Sequence, residues 1–235
     1  MAREKFKVKD GVFDEQTNKT INSLIKKGYI DELLTPIKTG KEADVYLAKR
    51  KNSYAAVKIY RVTSANFKKI NEYIKRDYRF KNTNANIKKT ILKWVEKEYR
   101  NLHLSYVSGV HVPFPIKQLH NCIVMEYINA DMLKDTYIND PTNFFEKLLH
   151  QLYLLKNEAK LIHGDLSQYN ILVENQRPVI IDLGQAMSIK QEEDFNNFYD
   201  LYERDINQLL TYFENKYNLD YTKEKIDEKL SSNKS

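Results

Sequence analysis

A chain of 235 residues, 42% hydrophobic and 12% aromatic, carries enough apolar material for one bilobed domain or two small ones and is not the composition of a disordered protein. No apolar run approaches the ~18 residues of a membrane span, the charged start MAREKFKVKD lacks an apolar signal core, and the single Cys122 has no partner for a disulfide and no zinc spacing; these features predict a cytoplasmic protein without a membrane partner. The net charge of +6 invites an anionic partner, and its distribution decides where.

Residues 14–27 carry Ile21, Leu24 and Ile25 at helical spacing, with basic residues in the last turn and Gly28 just beyond. That predicts a short helix with a glycine stop, within an N-terminal helical extension over 1–28. Leu33 to Ala48 reads as two strand-like pieces around the tight polar turn Thr39-Gly40-Lys41. Ala55 to Tyr60 follows as a third strand, in which Val57 and Ile59 alternate against Lys58. Such a lysine usually sits on a solvated face. Here it also stands where the Val-Ala-Ile-Lys lysine of kinases reaches nucleotide phosphates.

The polar segment from Ser64 to Lys89 comes next. Between Asn66 and Thr90 it holds eight basic residues against Glu72 and Asp77, with Phe67, Tyr73, Tyr78 and Phe80 interleaved. A basic, aromatic-dotted insertion fits contact with RNA or an acidic protein, and a solvated loop fits equally well. In residues 87–104, Ile91, Trp94, Val95 and Leu102 form one helical stripe, and Glu98 falls on it while Glu96 points away. A carboxylate on an apolar face is costly unless paired, so Lys58 is the expected partner.

Val112 to Ile116 and Asn121 to Ile128 complete a five-stranded sheet, and Asn129 marks a hinge. Backbone groups of Glu126 and Ile128 there suit a flat, polar-edged base. Asp140-Pro141 opens a helix that buries Phe144, Phe145, Leu148, Leu152 and Leu155.

The stretch from Leu161 to Gly184 carries the chemistry. Two apolar runs, Ile171 to Val173 and Val179 to Ile181, flank a short polar connection containing Pro178 and read as a hairpin. Its ends present Asp165, Asn170 and Asp182. The spacing of Asp165 to Asn170 matches the kinase catalytic loop, whose Asp takes the hydroxyl proton and whose Asn holds a metal. Ile181-Asp182-Leu183-Gly184 matches the metal-binding Asp-Phe-Gly element. A last helix from about Glu193 to Tyr217 buries Phe198, Tyr202, Ile206, Leu209 and Phe213, with Asp205 bordering that stripe as a brace for the catalytic loop or as a solvent-facing residue. The stretch 218–235 reads as a polar C-terminal tail.

Taken as an ordered set, Thr39-Gly-Lys-Glu-Ala-Asp-Val45, Ala56-Val-Lys-Ile-Tyr-Arg61, Trp94 to Leu102, Val124-Met-Glu-Tyr-Ile128, His163-Gly-Asp-Leu-Ser-Gln-Tyr-Asn170, Ile181-Asp-Leu-Gly-Gln-Ala186 and Tyr202-Glu-Arg-Asp205 resemble the RIO family of atypical serine/threonine kinases, in particular its type-1, archaeal-like branch. The resemblance implies an α+β, bilobal protein-kinase-like fold: a small antiparallel-sheet N-lobe with one main helix over 29–128, and a reduced, mostly helical C-lobe over 129–217. It implies ATP and Mg²⁺, with Mn²⁺ as a substitute, and a role in maturing the small ribosomal subunit, reached through the basic segment 64–89. By position, Lys58 would contact the α- and β-phosphates and Glu98 would orient it. Asp165 would be the base, and Asn170 and Asp182 the Mg²⁺ ligands. Glu126 and Ile128 would hold adenine beside Met125 as gatekeeper, and Thr39, Gly40 and Lys41 would replace the glycine-rich loop. Asp182 is also the candidate phosphate acceptor.

Gly164 and Gln168 stand where the family commonly has Ala and Glu; the first loosens the backbone and the second removes a negative charge near the metals. Gly40 is the only glycine in its turn, and 53 residues follow Asp182 without an Ala-Pro-Glu, so peptide recognition is expected to be rudimentary or supplied by a partner. Other readings remain: an ATPase switch or nucleotide-gated module for pre-ribosomal RNA, a small-molecule kinase of the aminoglycoside or choline type, or the minimal kinase that partners tRNA-modification enzymes. The short C-terminal lobe speaks against the second, and the Thr39 turn and the 64–89 insertion against the third. The oligomeric state has no signature in the sequence.

Overall fold

The computed structural model describes residues 13–61, 67–77, 79, 86–190 and 192–231. The chain divides into two compact units, one made of the residues up to Tyr99 with Phe114–Ile128, the other of Arg100–Pro113 with the residues from Asn129 onward.

The first unit is a five-stranded antiparallel sheet in the order β1 (Glu32–Lys38), β2 (Ala43–Arg50), β3 (Ser53–Tyr60), β5 (Cys122–Glu126), β4 (Pro115–Leu119). Pro36 sits on the edge strand β1, between two register shifts, where its missing N–H breaks no interior ladder. Strand alternation divides β3 between two cores. Ala55, Val57 and Ile59 join Ile21, Leu24 and Ile30 beneath helix α1 (Glu15–Lys26). Tyr60 faces the other way, into a cluster with Ile91, Trp94 and Val95 of helix α3 (Ile87–Val107). Helix α1 starts at Asp14, whose carboxylate accepts the Thr17 N–H at 2.8 Å. Buried Asn121 then ties it to the sheet, donating to Thr17 Oγ1 at 2.8 Å and to Tyr60 O at 2.9 Å.

Part of the basic insertion is regular. Helix α2 (Phe67–Arg76) places Ile70 and Ile74 in the Trp94 cluster, so its apolar positions at i and i+4 dock on α3. The solvated-loop alternative therefore does not describe residues 67–76; residues 64–66, 78 and 80–85 of the insertion lie outside the described residues. After α2, the buried Asp77 carboxylate accepts from Arg79 Nε at 2.9 Å and Nη2 at 2.6 Å, and lies 3.9 Å from Lys97 Nζ. Lys97 is wholly buried, its amine 5.1 Å from the Trp94 ring centroid, and burial pushes its pKa down to about 7 against the pull of Asp77.

In the second unit, helix α4 (Pro141–Asn157) begins at Asp140, which accepts the Asn143 N–H at 3.0 Å, with proline in the first turn. Its apolar face meets helix α6 (Tyr199–Tyr217), where Phe145 and Phe213 stand 4.7 Å apart between ring centroids. The expected single helix over 193–217 is two, a short α5 (Glu192–Asn197) and then α6. The stretch read as a polar tail carries helix α7 (Lys223–Ser231), whose Ile226 and Leu230 are buried. Its apolar residues are too few to stand out in a charged stretch, but their spacing of four puts both on one face.

Short strands complete this unit: β6 (Asp131–Met132), β8 (Ile171–Glu174) and β9 (Arg177–Ile180) form one antiparallel sheet, while β7 (Leu161–Ile162) pairs with β10 (Met187–Ser188). The hairpin turn is Asn175-Gln176, both at positive φ, as a two-residue turn between twisted strands requires. Pro178 is therefore not in the connection but within β9, an edge strand that tolerates it. Among the described residues no helix is long and apolar enough to cross a membrane.

Replacing Leu230 by Ala should lower the unfolding free energy by about 2–5 kcal/mol, whereas Lys225→Ala on the exposed face should change it by less than ~0.5 kcal/mol; urea denaturation reads both. Lys97 gives a pH signature. Its unfolded amine keeps a proton up to 10.5, while the folded one releases it near 7, so between those values the unfolded state binds more protons. Stability from this group therefore rises with pH across that window. Lys97→Met should flatten the rise, as measured by denaturant midpoints from pH 7 to 10.

Candidate active site

In the first unit, Lys58 projects from β3 onto the face that carries Tyr60. Its Nζ lies 2.8 Å from Glu98 Oε1 of α3 and 5.2 Å from the Tyr60 ring centroid. The two side chains retain 12% and 5% of their exposure, so each charge is nearly out of water and depends on the other. This ion pair is the partnership the stripe periodicity calls for. What it can do chemically is hold an ammonium at a fixed place beside an anion, without room for the lysine to swing away.

The Thr39-Gly40-Lys41 turn joins β1 to β2 and is fully exposed. Asp44 closes it: its Oδ1 accepts the Gly40 N–H at 3.2 Å, and its two oxygens take Arg61 Nη2 at 2.9 Å each. A Cβ at Gly40 would come within 2.9 Å of Ala43 O, so the close turn requires glycine. At the other side of the sheet Met125 pairs in register with Ala56 and is half-buried. The Glu126 N–H is already committed to Phe114 O at 2.9 Å and its carboxylate to the Phe114 N–H at 3.0 Å. The Glu126 N–H is thus taken and cannot serve a base edge; Ile128 beyond it is half-buried.

In the second unit the loop His163–Asn170 is fixed by α6. Buried Asp205 accepts the Gly164 N–H on Oδ2 at 2.7 Å and the Leu166 N–H on Oδ1 at 2.9 Å, while Arg204 donates to Gly164 O. Of the two readings open for Asp205, the brace is the one realised. Burial pushes its carboxyl up to about 7, against the pull of those two N–H donors and of Arg204. Gly164 has φ +77° and a Cβ there would meet Gln185 O at 3.0 Å, so both backbone and space call for glycine. Asp165 accepts from Gln185 Nε2 at 2.8 Å. Asn170 donates its amide to Asp165 O at 2.8 Å, which leaves its Oδ1 as the oxygen for a cation.

The hairpin then delivers Asp182 next to Asn170. The Ile181 N–H bonds Asn170 O at 3.0 Å, and Ile181 O accepts from His163 Nε2 at 3.0 Å. Past Asp182, buried Asn101 donates to Leu183 O at 2.9 Å and Ala186 O at 3.0 Å. Asp182 itself is exposed and left-handed, with φ +65°. For a non-glycine residue that conformation is uncommon and is held only when the flanking backbone is fixed. Among the described residues no three His, Cys, Asp or Glu side chains gather as a closed metal cage. An amide oxygen and a carboxylate suit Mg²⁺, which takes one or two protein oxygens and completes its shell with phosphates and water.

Sequence reasoning assigned no part to Asn101, Gln185, Asp44 or Arg61. Asn101 had a visible signal, an amide one position from Leu102 on a buried helix. The other three act across long sequence separations that no local pattern reports.

Compared with known proteins, residues 44–226 match the model of the RIO domain. The chain is 36% identical over 192 residues to the RIO-type serine/threonine-protein kinase Rio1 of Haloferax volcanii, covering 79% of this chain and 66% of that protein. It is 35% identical over 189 residues to Rio1 of Methanocaldococcus jannaschii, covering 78% and 65%. The matches thus span just under two thirds of these relatives' own length. Among solved structures, the Rio2 kinase–ADP/Mg²⁺–phosphoaspartate complex from Chaetomium thermophilum superposes with a TM-score of 0.70 at 22% identity, covering 90% of this chain and 64% of that one. The fold is accordingly that of a RIO kinase, α+β and kinase-like, and by the extent of the domain match and the archaeal Rio1 likeness the chain belongs to the RIO domain family.

Proposed function

We propose that this chain is an ATP-dependent serine/threonine phosphotransferase that moves the γ-phosphate of ATP with Mg²⁺. The observation that carries this reading is the exposed, left-handed Asp182, whose neighbours are both fixed: the Ile181 N–H bonds Asn170 O, and Leu183 O accepts from Asn101. A carboxylate held in a strained conformation on the residue after one bonded to Asn170 brings together the two oxygen donors that a phosphate-bound cation would need. Asn170 and Asp182 would hold Mg²⁺, which supplies charge neutralisation for the phosphates when bound. Lys58, fixed by Glu98, would contact the α- and β-phosphates. Asp165, oriented by Gln185 and by the loop brace, would accept the hydroxyl proton. The Glu126 carbonyl and the Ile128 backbone would hold adenine beside Met125, and the Thr39–Lys41 turn would cover the phosphates. Phosphoryl transfer asks little covalent chemistry of the protein, so positioning and charge do most of it.

The setting proposed for this activity is maturation of the small ribosomal subunit in the cytoplasm. Support comes from the family and from the basic residues of the 64–89 insertion. The particle-gated ATPase is a second reading, favoured by the exposure of Asp182 as an acceptor. There the γ-phosphate would pass to an Asp182 oxygen, leaving ADP and an acyl phosphate that water then hydrolyses. A related complex described as containing phosphoaspartate lends it support.

Asp165→Ala should reduce transfer about 10²–10⁴-fold while nucleotide affinity measured by calorimetry stays near that of the unaltered chain. Asp182→Gly should relieve left-handed strain of about 1–2 kcal/mol, yet abolish Mg²⁺-dependent ATP binding. An Asp182→Gly chain that still binds ATP only with Mg²⁺ would remove Asp182 from the metal site. Hydroxylamine-sensitive phosphate on the unaltered chain, mapped to the peptide that contains Asp182 by mass spectrometry, would select the second reading.

A further inference from the structure

Along helix α6 runs an open groove of about 1000 Å³, wholly within the second unit, with the Asp165 carboxylate and the loop residues Ser167 and Gln168 on its opposite side. One face of α6 lines it at the helical period: Asp200, Arg204, Asn207 or Gln208, Thr211 and Asn215. From Asp200 to Asn215 that face extends about 22 Å, the span of some seven residues of extended chain.

The lining is unusual for this protein. Although 30% of the chain is charged, the middle of the groove offers amides and a hydroxyl: Asn207, Gln208, Thr211 and Asn215 on α6, with Gln168 facing them. All four α6 residues are exposed. An amide side chain carries both a donor and an acceptor, the complement of a peptide group. The walls are rigid, because Asp205 and Arg204 grip the loop while Tyr212 OH donates to Leu133 O at 2.7 Å and Lys216 Nζ to Thr136 O at 3.1 Å. Asp165, Asp200 and Glu203 line the N-terminal part of the groove beside Arg204, and Lys223 pairs with Glu203, so the charges there largely offset one another and offer no cationic excess to a polyanion.

We infer that this groove is the docking surface for the phosphoacceptor, an extended polypeptide held by its backbone on the amide face of α6 with its serine or threonine hydroxyl at Asp165. The inference rests on the phosphotransferase reading and specifies its substrate class and where that substrate binds. It also accounts for how a chain without an Ala-Pro-Glu element could hold a peptide: the groove lies on α6 itself.

The sole cysteine, Cys122, is buried and its thiol is pushed up to about 12, so a cysteine placed in the groove can be labelled alone. Thr211→Cys and Gln208→Cys, each coupled to a bulky maleimide, are compared with labelled His150→Cys on α4, which does not line the groove. With dephosphorylated casein as probe acceptor, the groove labels should raise KM for casein at least about tenfold, while ATP affinity and acceptor-free hydrolysis stay within about twofold. Equal casein KM for all three labelled chains, in a protein that does hydrolyse ATP, overturns the docking groove and leaves the phosphotransferase reading standing. An unaltered chain that neither hydrolyses ATP nor modifies casein overturns that reading, and the groove's role falls with it. A single-stranded RNA oligonucleotide whose binding is blocked by the groove labels, with casein KM unaffected, overturns the polypeptide assignment.

Discussion

A single buried carboxylate holds the His163–Asn170 loop in place. Asp205 gives each of its oxygens to a different backbone N–H of one loop, and its neighbour Arg204 takes the carbonyl between them. Gly164 is thereby gripped by both its N–H and its C=O from adjacent residues of one helix. No apolar contact could do this, since dispersion is indifferent to direction whereas a carboxylate with two N–H partners fixes an orientation. The carboxyl is kept near the edge of ionisation by burial. From that anchor the order propagates by short steps: Asn170 returns to Asp165 O, Ile181 pairs with Asn170, and Asn101 holds the turn beyond Asp182.

The first unit solves a different problem, a lysine inside an apolar layer. Alternation along β3 gives Val57 and Ile59 to the α1 core and turns Lys58 toward α3, where Glu98 awaits it. Either charge alone would be expensive to bury; together they form an oriented pair with the ammonium on the sheet. Lys97, one residue before Glu98 in the same helix, is another buried amine, but it is shared with Asp77 and lies under Trp94. The two lysines show that burial of charge against α3 is a repeated device among the described residues.

How much of this was legible depended on the range of the physical signal. Glu98 could be read because a helix repeats every 3.6 residues and a carboxylate on the apolar stripe is conspicuous. Asp165, Asn170 and Asp182 could be singled out as candidates because their spacing is local to one hairpin. Asp205 was half legible: its place at the stripe's border allowed a brace but did not require one. By contrast Asp44 with Arg61, and Gln185 with Asp165, meet across 17 and 20 residues through polar side-chain contacts that no local period reports. Helices α2 and α7 were hidden by charge, since two apolar residues each were enough to dock them and too few to outweigh the lysines and glutamates around them. Pro178 misled because proline marks turns more often than edge strands.

The hairpin β8–β9 sets the distance between the two oxygens assigned to the metal. Its register runs from Ile171 opposite Ile180 to Glu174 opposite Arg177, closed by Asn175-Gln176. Side chains on a strand change faces with every residue, so a single insertion in either arm would send Asn170 or Asp182 to the wrong side. Length can therefore drift only at the tip, or by matched additions to both arms. Under that restriction the turn can lengthen for a new contact while Asn170 and Asp182 keep their places, because the part free to vary is the part farthest from them.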